Sequence, residues 1–209
     1  MPFLGACGKG KTYFAMKCVK EMQRRKMCST AVILDLKDPE RPQYDGKIVK
    51  SIADARRILL EDAPPFLVCR PGISAQDAAS LVQDGAECGE KLALVADELT
   101  PLLRVNEDTL EPQPRIFAGP SLPWLHLQGR GLGASCFILV QLPSHVPGSA
   151  LDNANCYATF GLGGRSLEYA KDLRLLPKEA VSTVSRLERG QLCVFFCDRE
   201  WDGIVYGPS

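Results

Sequence analysis

Residues 5–12 constrain the fold of this chain more than any other stretch. They read G-A-C-G-K-G-K-T and match the pattern G-x-x-x-x-G-K-[ST] of a phosphate-binding loop. The glycines let backbone N–H groups face phosphate oxygens, Lys11 supplies a positive charge, and the Thr12 hydroxyl can hold Mg²⁺. Phe3 and Leu4 precede the loop and a helical run follows it, which predicts a strand, the loop and then a helix. A glycine-rich surface turn is the alternative. We predict that ATP and Mg²⁺ bind here, with Gly5, Ala6, Cys7, Gly8, Lys9, Gly10, Lys11, Thr12 and Tyr13 around the nucleotide.

The rest of the chain alternates short apolar runs with helical patterns, which predicts an α/β fold with a mostly parallel sheet. Strands are expected at 3–4, 31–34, 65–69, 92–96, 134–140 and 157–160, and a closing hairpin at 191–197 and 203–206. Helices are expected at 11–25, 52–61, 75–88, 168–173 and 177–187. We expect a single domain over residues 1–209, with a proline-rich insertion loop at 101–123.

Net charge, hydropathy and cysteine spacing give no support for a nucleic-acid partner, a membrane span or a zinc site. Lys plus Arg and Asp plus Glu number 25 each, so overall charge gives no argument for a nucleic-acid partner. No apolar stretch is long enough for a membrane span, and no signal segment precedes the loop. The nine cysteines are odd in number and lack a C-x-x-C pair, which favours reduced, buried thiols over a zinc site.

Two acidic residues, Asp97 and Glu98, directly follow the apolar run at 92–96. In a parallel sheet this position lies at the edge where ligands bind. There Asp97 can complete the Mg²⁺ shell opposite Thr12, and Glu98 can orient or deprotonate an attacking water. An acidic pair that merely closes a strand is the alternative. The presence of the phosphate loop favours the catalytic interpretation.

A neutral amide, Gln141, follows the apolar run at 134–140 in the same way. Its side chain can hydrogen-bond both a water and a γ-phosphate oxygen, so it is a candidate sensor of the bound nucleotide.

The order of motifs resembles the HerA/FtsK superfamily of DNA-pumping ATPases. Residues 130–133 (RGLG), a strand and then 141–146 (QLPSHV) are similar to its R-x-x-G…T-Q-R-P-S stretch. Residues 151–155 followed by 160–165 resemble its late strand and arginine, and 187–191 (LERGQ) resembles its terminal L-x-x-G-E/Q hairpin. One departure is Leu142, which stands where the superfamily has arginine after the glutamine.

This resemblance implies a RecA-like (ASCE) P-loop NTPase, most like the genome-packaging ATPases of membrane-containing icosahedral double-stranded DNA viruses. It implies a homo-oligomeric ring, with a hexamer favoured, double-stranded DNA in the pore, and location in the virion or host cytoplasm, with a portal or capsid vertex as a further partner. A neighbouring subunit would supply a catalytic arginine, for which Arg130 is favoured over Arg165. Arg104 and Arg115 in the proline-rich insertion would neutralise DNA phosphates.

Two other functions stay open at this point. A P-loop kinase for a small metabolite or nucleoside would carry an arginine-rich lid, which 174–189 does not clearly provide. A phage morphogenesis or assembly NTPase has a similar loop together with a membrane span. Stimulation of phosphate release by DNA separates the translocase from both.

Overall fold

A computed structural model of the chain describes residues 1–35, 44–70, 72–97, 124–125, 128–141, 154–172, 175–196 and 200–207. The strands are β1 (Pro2–Leu4), β2 (Thr30–Asp35), β3 (Lys47–Val49), β4 (Phe66–Cys69), β5 (Leu92–Asp97), β6 (Ser135–Val140), β7 (Cys156–Phe160), β8 (Leu192–Phe196) and β9 (Val205–Tyr206). The α-helices are α1 (Lys11–Arg24), α2 (Ile52–Glu61), α3 (Ala75–Glu87), α4 (Gly164–Asp172) and α5 (Val181–Arg186), and 3₁₀ turns cover Gly129–Leu132 and Lys178–Ala180.

These strands form one nine-stranded sheet in the order β3-β4-β2-β5-β6-β1-β7-β8-β9. All pairs from β3 across to β7 are parallel, whereas β8 pairs antiparallel with both β7 and β9. The predicted mostly parallel sheet and C-terminal hairpin are therefore confirmed. β6 lies between β1 and β5, which is the strand arrangement expected for the RecA-like (ASCE) class.

The central strands β2 and β5 are apolar between their ends because helices cover both faces of the sheet. Every residue of β2 and β5 is buried. One face packs against α2 and α3 and the other against α1, so strand residues pointing either way leave water. A third apolar cluster places α4 and α5 against β8. Layers of this kind expose the carboxyl ends of the parallel strands at one edge of the sheet, where loops can build a site.

Two helices begin at side-chain caps that are visible in the sequence. Ser51 accepts a hydrogen bond from the Asp54 N–H before α2, at 3.2 Å. Ser74 and Asp77 form a reciprocal capping box before α3. Such caps satisfy N–H groups that have no partner within the helix, and each contributes about 1 kcal/mol.

The structure departs from the sequence predictions at a few boundaries. The edge strand β3 was not predicted, because its three residues are mostly exposed and carry no apolar run. Helix α4 begins at Gly164, four residues before the predicted start at Glu168. The predicted insertion at 101–123 lies outside the described residues.

Candidate nucleotide-binding site

The phosphate loop leaves the buried end of β1 and turns into α1. Close packing requires glycine at its first position, since a Cβ on Gly5 would lie 2.6 Å from the Cβ of Phe160. The Gly5 N–H donates to the carbonyl of Val140 at 3.3 Å, which ties the loop to the end of β6. Gly10 has a φ of 102°, a left-handed conformation that residues with a Cβ rarely adopt. Gly8 also has a left-handed φ, of 73°, so the backbone path accounts for all three glycines of the loop.

The first turn of α1 differs from those of α2 and α3 because no side chain caps it. Gly10 occupies the N-cap position and has no side chain to cap the helix, and the first turn contains no acidic residue. Its N–H groups and the positive end of the helix dipole are therefore available to an anion. A phosphate would fill the place that Ser51 and Ser74 fill on the other two helices.

The Lys11 ammonium group lies inside the phosphate loop and hydrogen-bonds the loop backbone. Its Nζ donates to the carbonyl oxygens of Gly5 at 2.6 Å and of Ala6 at 2.9 Å. The charge therefore lies within the curve of the loop rather than in bulk solvent. A phosphate entering the loop meets a cation that is already positioned, so little side-chain ordering remains to be done on binding.

Thr12 and Asp97 lie together although 85 residues separate them in the sequence. The Thr12 hydroxyl is 3.3 Å from Oδ1 and 3.2 Å from Oδ2 of Asp97. Asp97, only 2% exposed, also accepts a hydrogen bond from the Tyr44 hydroxyl at 2.5 Å. Burial, and then the nearby carboxylate, raise the pKa of Tyr44, so its hydroxyl remains a neutral donor. A hydroxyl and a carboxylate at this separation form the hard oxygen donor set that suits Mg²⁺.

A second buried carboxylate lies beside the first. Asp35, at the end of β2, pairs in register with Asp97 at the end of β5. Arg70 follows β4 and contacts Asp35 at 2.7 Å, and both side chains are almost fully buried. Two adjacent buried carboxylates would repel each other unless each had its own partner. The guanidinium pairs with Asp35, and the carboxylate that lines the cleft beside the loop is that of Asp97.

These groups border a cleft of about 370 Å³ at the carboxyl edge of the sheet. The cleft is lined by Cys7, Gly8, Gly10, Lys11, Thr12, Asp97, Leu139, Val140, Gln141 and Arg189. Among the described side chains that line it are the cations Lys11 and Arg189, the amide of Gln141 and the hydroxyl of Thr12. Asp97 supplies the one carboxylate of this described set. This arrangement can bind a polyphosphate together with a divalent cation.

Five of the nine predicted nucleotide contacts line this cleft, and the other four, Gly5, Ala6, Lys9 and Tyr13, do not. The Lys9 Nζ lies 3.3 Å from the carbonyl of Leu187, so this lysine links the loop to a later turn. The Tyr13 side chain is 72% exposed and is not among the residues that line the cleft. Contact between Tyr13 and the nucleotide stays a prediction.

Several predicted residues fall outside what the structure describes. They are Glu98, Leu142, Arg104 and Arg115, together with the side chain of Arg130. The backbone of Arg130 belongs to the 3₁₀ turn that precedes β6, at the amino edge of the parallel strands. The six residues of β6 span roughly 20 Å, which separates Arg130 from the loop of its own subunit. The action of Arg130 on the site of a neighbouring subunit stays a prediction.

Arg165 lies at the other edge of the sheet. It is the second residue of α4, which follows the carboxyl end of β7, and its side chain is exposed. It shares an edge with the phosphate loop but does not line the cleft. Its catalytic role also stays a prediction.

Four residues of this site were not predicted from the sequence. Asp35 and Arg70 each directly follow an apolar strand, which is the signal that identified Asp97 and Gln141. Arg189 belongs to the LERGQ motif but was not given a role. Tyr44 carried no signal, because it lies in a polar stretch without periodicity.

The sequence matches no protein-family model and no curated protein. Its structure is similar to that of the genome packaging NTPase B204 from Sulfolobus turreted icosahedral virus 2 in complex with ATP-γS. The TM-score is 0.72 at 12% identity, over 100% of this chain and 95% of that one.

Two further solved structures show the same architecture. VirB4 of Thermoanaerobacter pseudethanolicus matches with a TM-score of 0.66 at 13% identity, over 95% of this chain and 87% of that chain. The pCW3 conjugation coupling protein TcpA with ATPγS matches with a TM-score of 0.59 at 16% identity, over 95% of this chain but 57% of that chain. With the strand order and the loop geometry, these likenesses show that the chain has the RecA-like P-loop NTPase fold, shared with the viral packaging NTPase B204, VirB4 and TcpA.

Proposed function

We propose that this protein is an ATPase that couples hydrolysis to the movement of double-stranded DNA through a ring of identical subunits. The observation that carries the proposal is the meeting of Lys11, Thr12, Asp97 and Gln141 in one cleft at the carboxyl edge of the sheet. These four groups come from three separate stretches of chain. Their convergence is what a magnesium-nucleotide site requires.

The loop residues bind and orient the triphosphate. Backbone N–H groups of the loop and of the first turn of α1 hold the phosphate oxygens, and Lys11 neutralises the β- and γ-phosphates. Thr12 and Asp97 fit a magnesium ion, which when bound would neutralise the charge that develops on the phosphates. Tyr44 keeps the Asp97 carboxylate in place through its 2.5 Å hydrogen bond.

Hydrolysis needs a base and a group that detects the γ-phosphate. We assign the base to Glu98, which follows Asp97 directly in the sequence, and the detecting role to Gln141, at the end of the adjacent strand β6. An arginine from a neighbouring subunit completes the site, with Arg130 favoured and Arg165 as the second candidate. Such arginines contribute about 10³–10⁵ in rate in other nucleotide hydrolases.

The assignment to DNA movement draws on the likeness to a viral genome packaging NTPase. Because the chain has no net charge, DNA contact would come from a local basic surface facing the pore. We place the protein in the virion or the host cytoplasm, in a ring for which a hexamer is favoured, and at a portal or capsid vertex. No helix among the described residues has the length and apolar character needed to cross a bilayer.

The experiment that tests this function measures phosphate release from ATP with and without duplex DNA, over a series of salt concentrations. DNA should stimulate release, and the stimulation should fall steeply with salt, because each phosphate contact contributes about −0.9 to the logarithmic slope. Lys11→Ala is the control, since it removes the loop cation and should abolish release under all conditions. ADP formation that a nucleoside accelerates without release of phosphate, and that DNA leaves unchanged, would favour a kinase and contradict the translocase.

A further inference from the structure

We infer that Arg189 binds the nucleotide from within the same subunit, at the α-phosphate and sugar end, opposite the bond that is cut. This rests on the proposed function and adds to it a binding residue that neither the loop nor the acidic pair supplies. Arg189 lines the cleft together with Lys11 and Thr12. It is exposed, and no hydrogen bond or ion pair joins its side chain to any residue that the structure describes.

The turn that carries Arg189 is fixed to the phosphate loop. The Gly190 N–H donates to the carbonyl of Lys9 at 3.0 Å, and the Lys9 Nζ is 3.3 Å from the carbonyl of Leu187. A Cβ on Gly10 would lie 3.5 Å from the Cα of Gly190, so the two backbones are in contact. The position of Arg189 relative to the loop is therefore set by backbone contacts and not by a mobile side chain alone.

The turn is also rigid in itself. The Gln191 N–H donates to the carbonyl of Glu188 at 3.2 Å, and the Glu188 N–H donates back to the Gln191 side-chain oxygen at 2.9 Å. Gly190 has a φ of 84°, which glycine adopts without strain. A rigid turn presents the Arg189 guanidinium with less loss of entropy on binding than a flexible loop would.

The sheet order decides which end of the nucleotide Arg189 meets. Asp97 and Gln141 end β5 and β6, on one flank of β1 and its loop, whereas β7 and β8 lie on the other flank. The turn before β8 reaches the same edge of the sheet because β8 runs antiparallel to β7. Arg189 and Asp97 therefore approach the loop from opposite sides.

The chemistry of the loop then orients the nucleotide between these flanks. Thr12 and Asp97 would hold a metal ion on the β5 and β6 flank of the loop, where it would neutralise phosphate charge. The loop itself surrounds the central phosphates, so the α-phosphate and sugar extend toward the β7 and β8 flank. Arginine is always charged and can hold two phosphate oxygens at once, which suits it to this end of the ligand.

Nucleotide affinity tests the inference, because ATP and ADP share the α-phosphate and differ only at the γ-phosphate. Dissociation constants for a non-hydrolysable ATP analogue and for ADP are measured by calorimetry with Mg²⁺ for the wild type, Arg189→Ala, Arg189→Lys and Arg186→Ala. Arg186 is the matched control, as an exposed arginine three residues earlier, at the end of α5, and outside the cleft. Thermal melting of each variant without nucleotide confirms that the fold is kept.

Arg189→Ala should weaken both ligands equally, by roughly 10- to 100-fold, the range expected for losing hydrogen bonds to a charged group. Arg189→Lys should restore part of this loss, and Arg186→Ala should bind like the wild type. The inference is wrong if both constants for Arg189→Ala stay within about twofold of wild type, or if only the ATP analogue is weakened. If the wild type binds neither ligand, the proposed function fails as well, whereas normal binding by Arg189→Ala removes this inference alone.

Discussion

Tyr44→Phe removes a single hydroxyl from beside the Asp97 carboxylate and leaves the aromatic ring. In the native protein this hydroxyl donates to Asp97 Oδ2 at 2.5 Å, with Tyr44 only 6% and Asp97 only 2% exposed. Water cannot easily replace the lost donor at such a site. The buried carboxylate therefore loses a hydrogen bond while it keeps the more distant Thr12 hydroxyl.

A hydrogen bond to a charged group contributes about 1.5–3 kcal/mol, which is the expected loss in the free energy of unfolding for Tyr44→Phe. For a protein of this size, each kcal/mol lowers the melting temperature by about 2–4 °C, so the total decrease should be about 3–12 °C. The loss should be constant from pH 7 to 9, because burial raises the pKa of Tyr44 in the folded state. The contribution of the Tyr44 hydroxyl to the free energy of unfolding declines only above about pH 10. There the tyrosine ionises in the unfolded chain but not in the folded protein.

Urea unfolding of wild type and variant measures this loss, and Tyr13→Phe is the matched control. The same hydroxyl is removed there from a side chain that is 72% exposed, so the change should stay within about 0.5 kcal/mol. Loosening Asp97 should also raise the Mg²⁺ concentration needed for half-maximal ATP binding by about 10- to 100-fold. A Tyr44→Phe variant as stable as Tyr13→Phe would refute the role given to this hydroxyl.

Three further predictions concern the reaction and the assembly. Glu98→Gln should still bind ATP but hydrolyse it about 10²- to 10⁴-fold more slowly, and normal turnover would exclude Glu98 as the base. The exposed thiols Cys7 and Cys88 should both react with maleimide. Mg-ATP should protect only Cys7, because Cys7 lines the cleft. Equal protection of both thiols would contradict the position proposed for the ligand. An Arg130→Ala subunit mixed with a Lys11→Ala subunit should recover part of the activity that neither has alone. Mixed rings that assemble without any recovery would argue against an arginine acting between subunits.

The fold was predictable because its strands are continuous apolar runs, which only burial on both faces explains. Residues 31–34 and 92–96 illustrate this, and both became central strands. The short edge strand β3 was not predicted, because its residues are largely exposed and its pairing with β4 is a tertiary contact. Periodicity identifies buried elements well and exposed ones poorly.

For the candidate site, local patterns in the sequence identified four of the residues that line the cleft, and the tertiary contacts supplied the rest. Lys11 and Thr12 belong to the phosphate-loop motif, whereas Asp97 and Gln141 are polar residues that directly follow apolar runs. Tyr44 could not be predicted, because its partner Asp97 is 53 residues away and its own surroundings are polar. Its placement depends on how the sheet edge folds, which no local pattern in the sequence encodes.

The position of β1 in the sheet has a consequence for biosynthesis. This strand is synthesised before its two neighbours in the sheet, β6 and β7, which come more than 130 residues later. The loop behind it is held by contacts with Phe160 and Gly190, from the last third of the chain. A growing chain therefore has to keep β1 unpaired until β6 and β7 have been made. The loop reaches its final conformation only after the turn at Gly190 has also been synthesised.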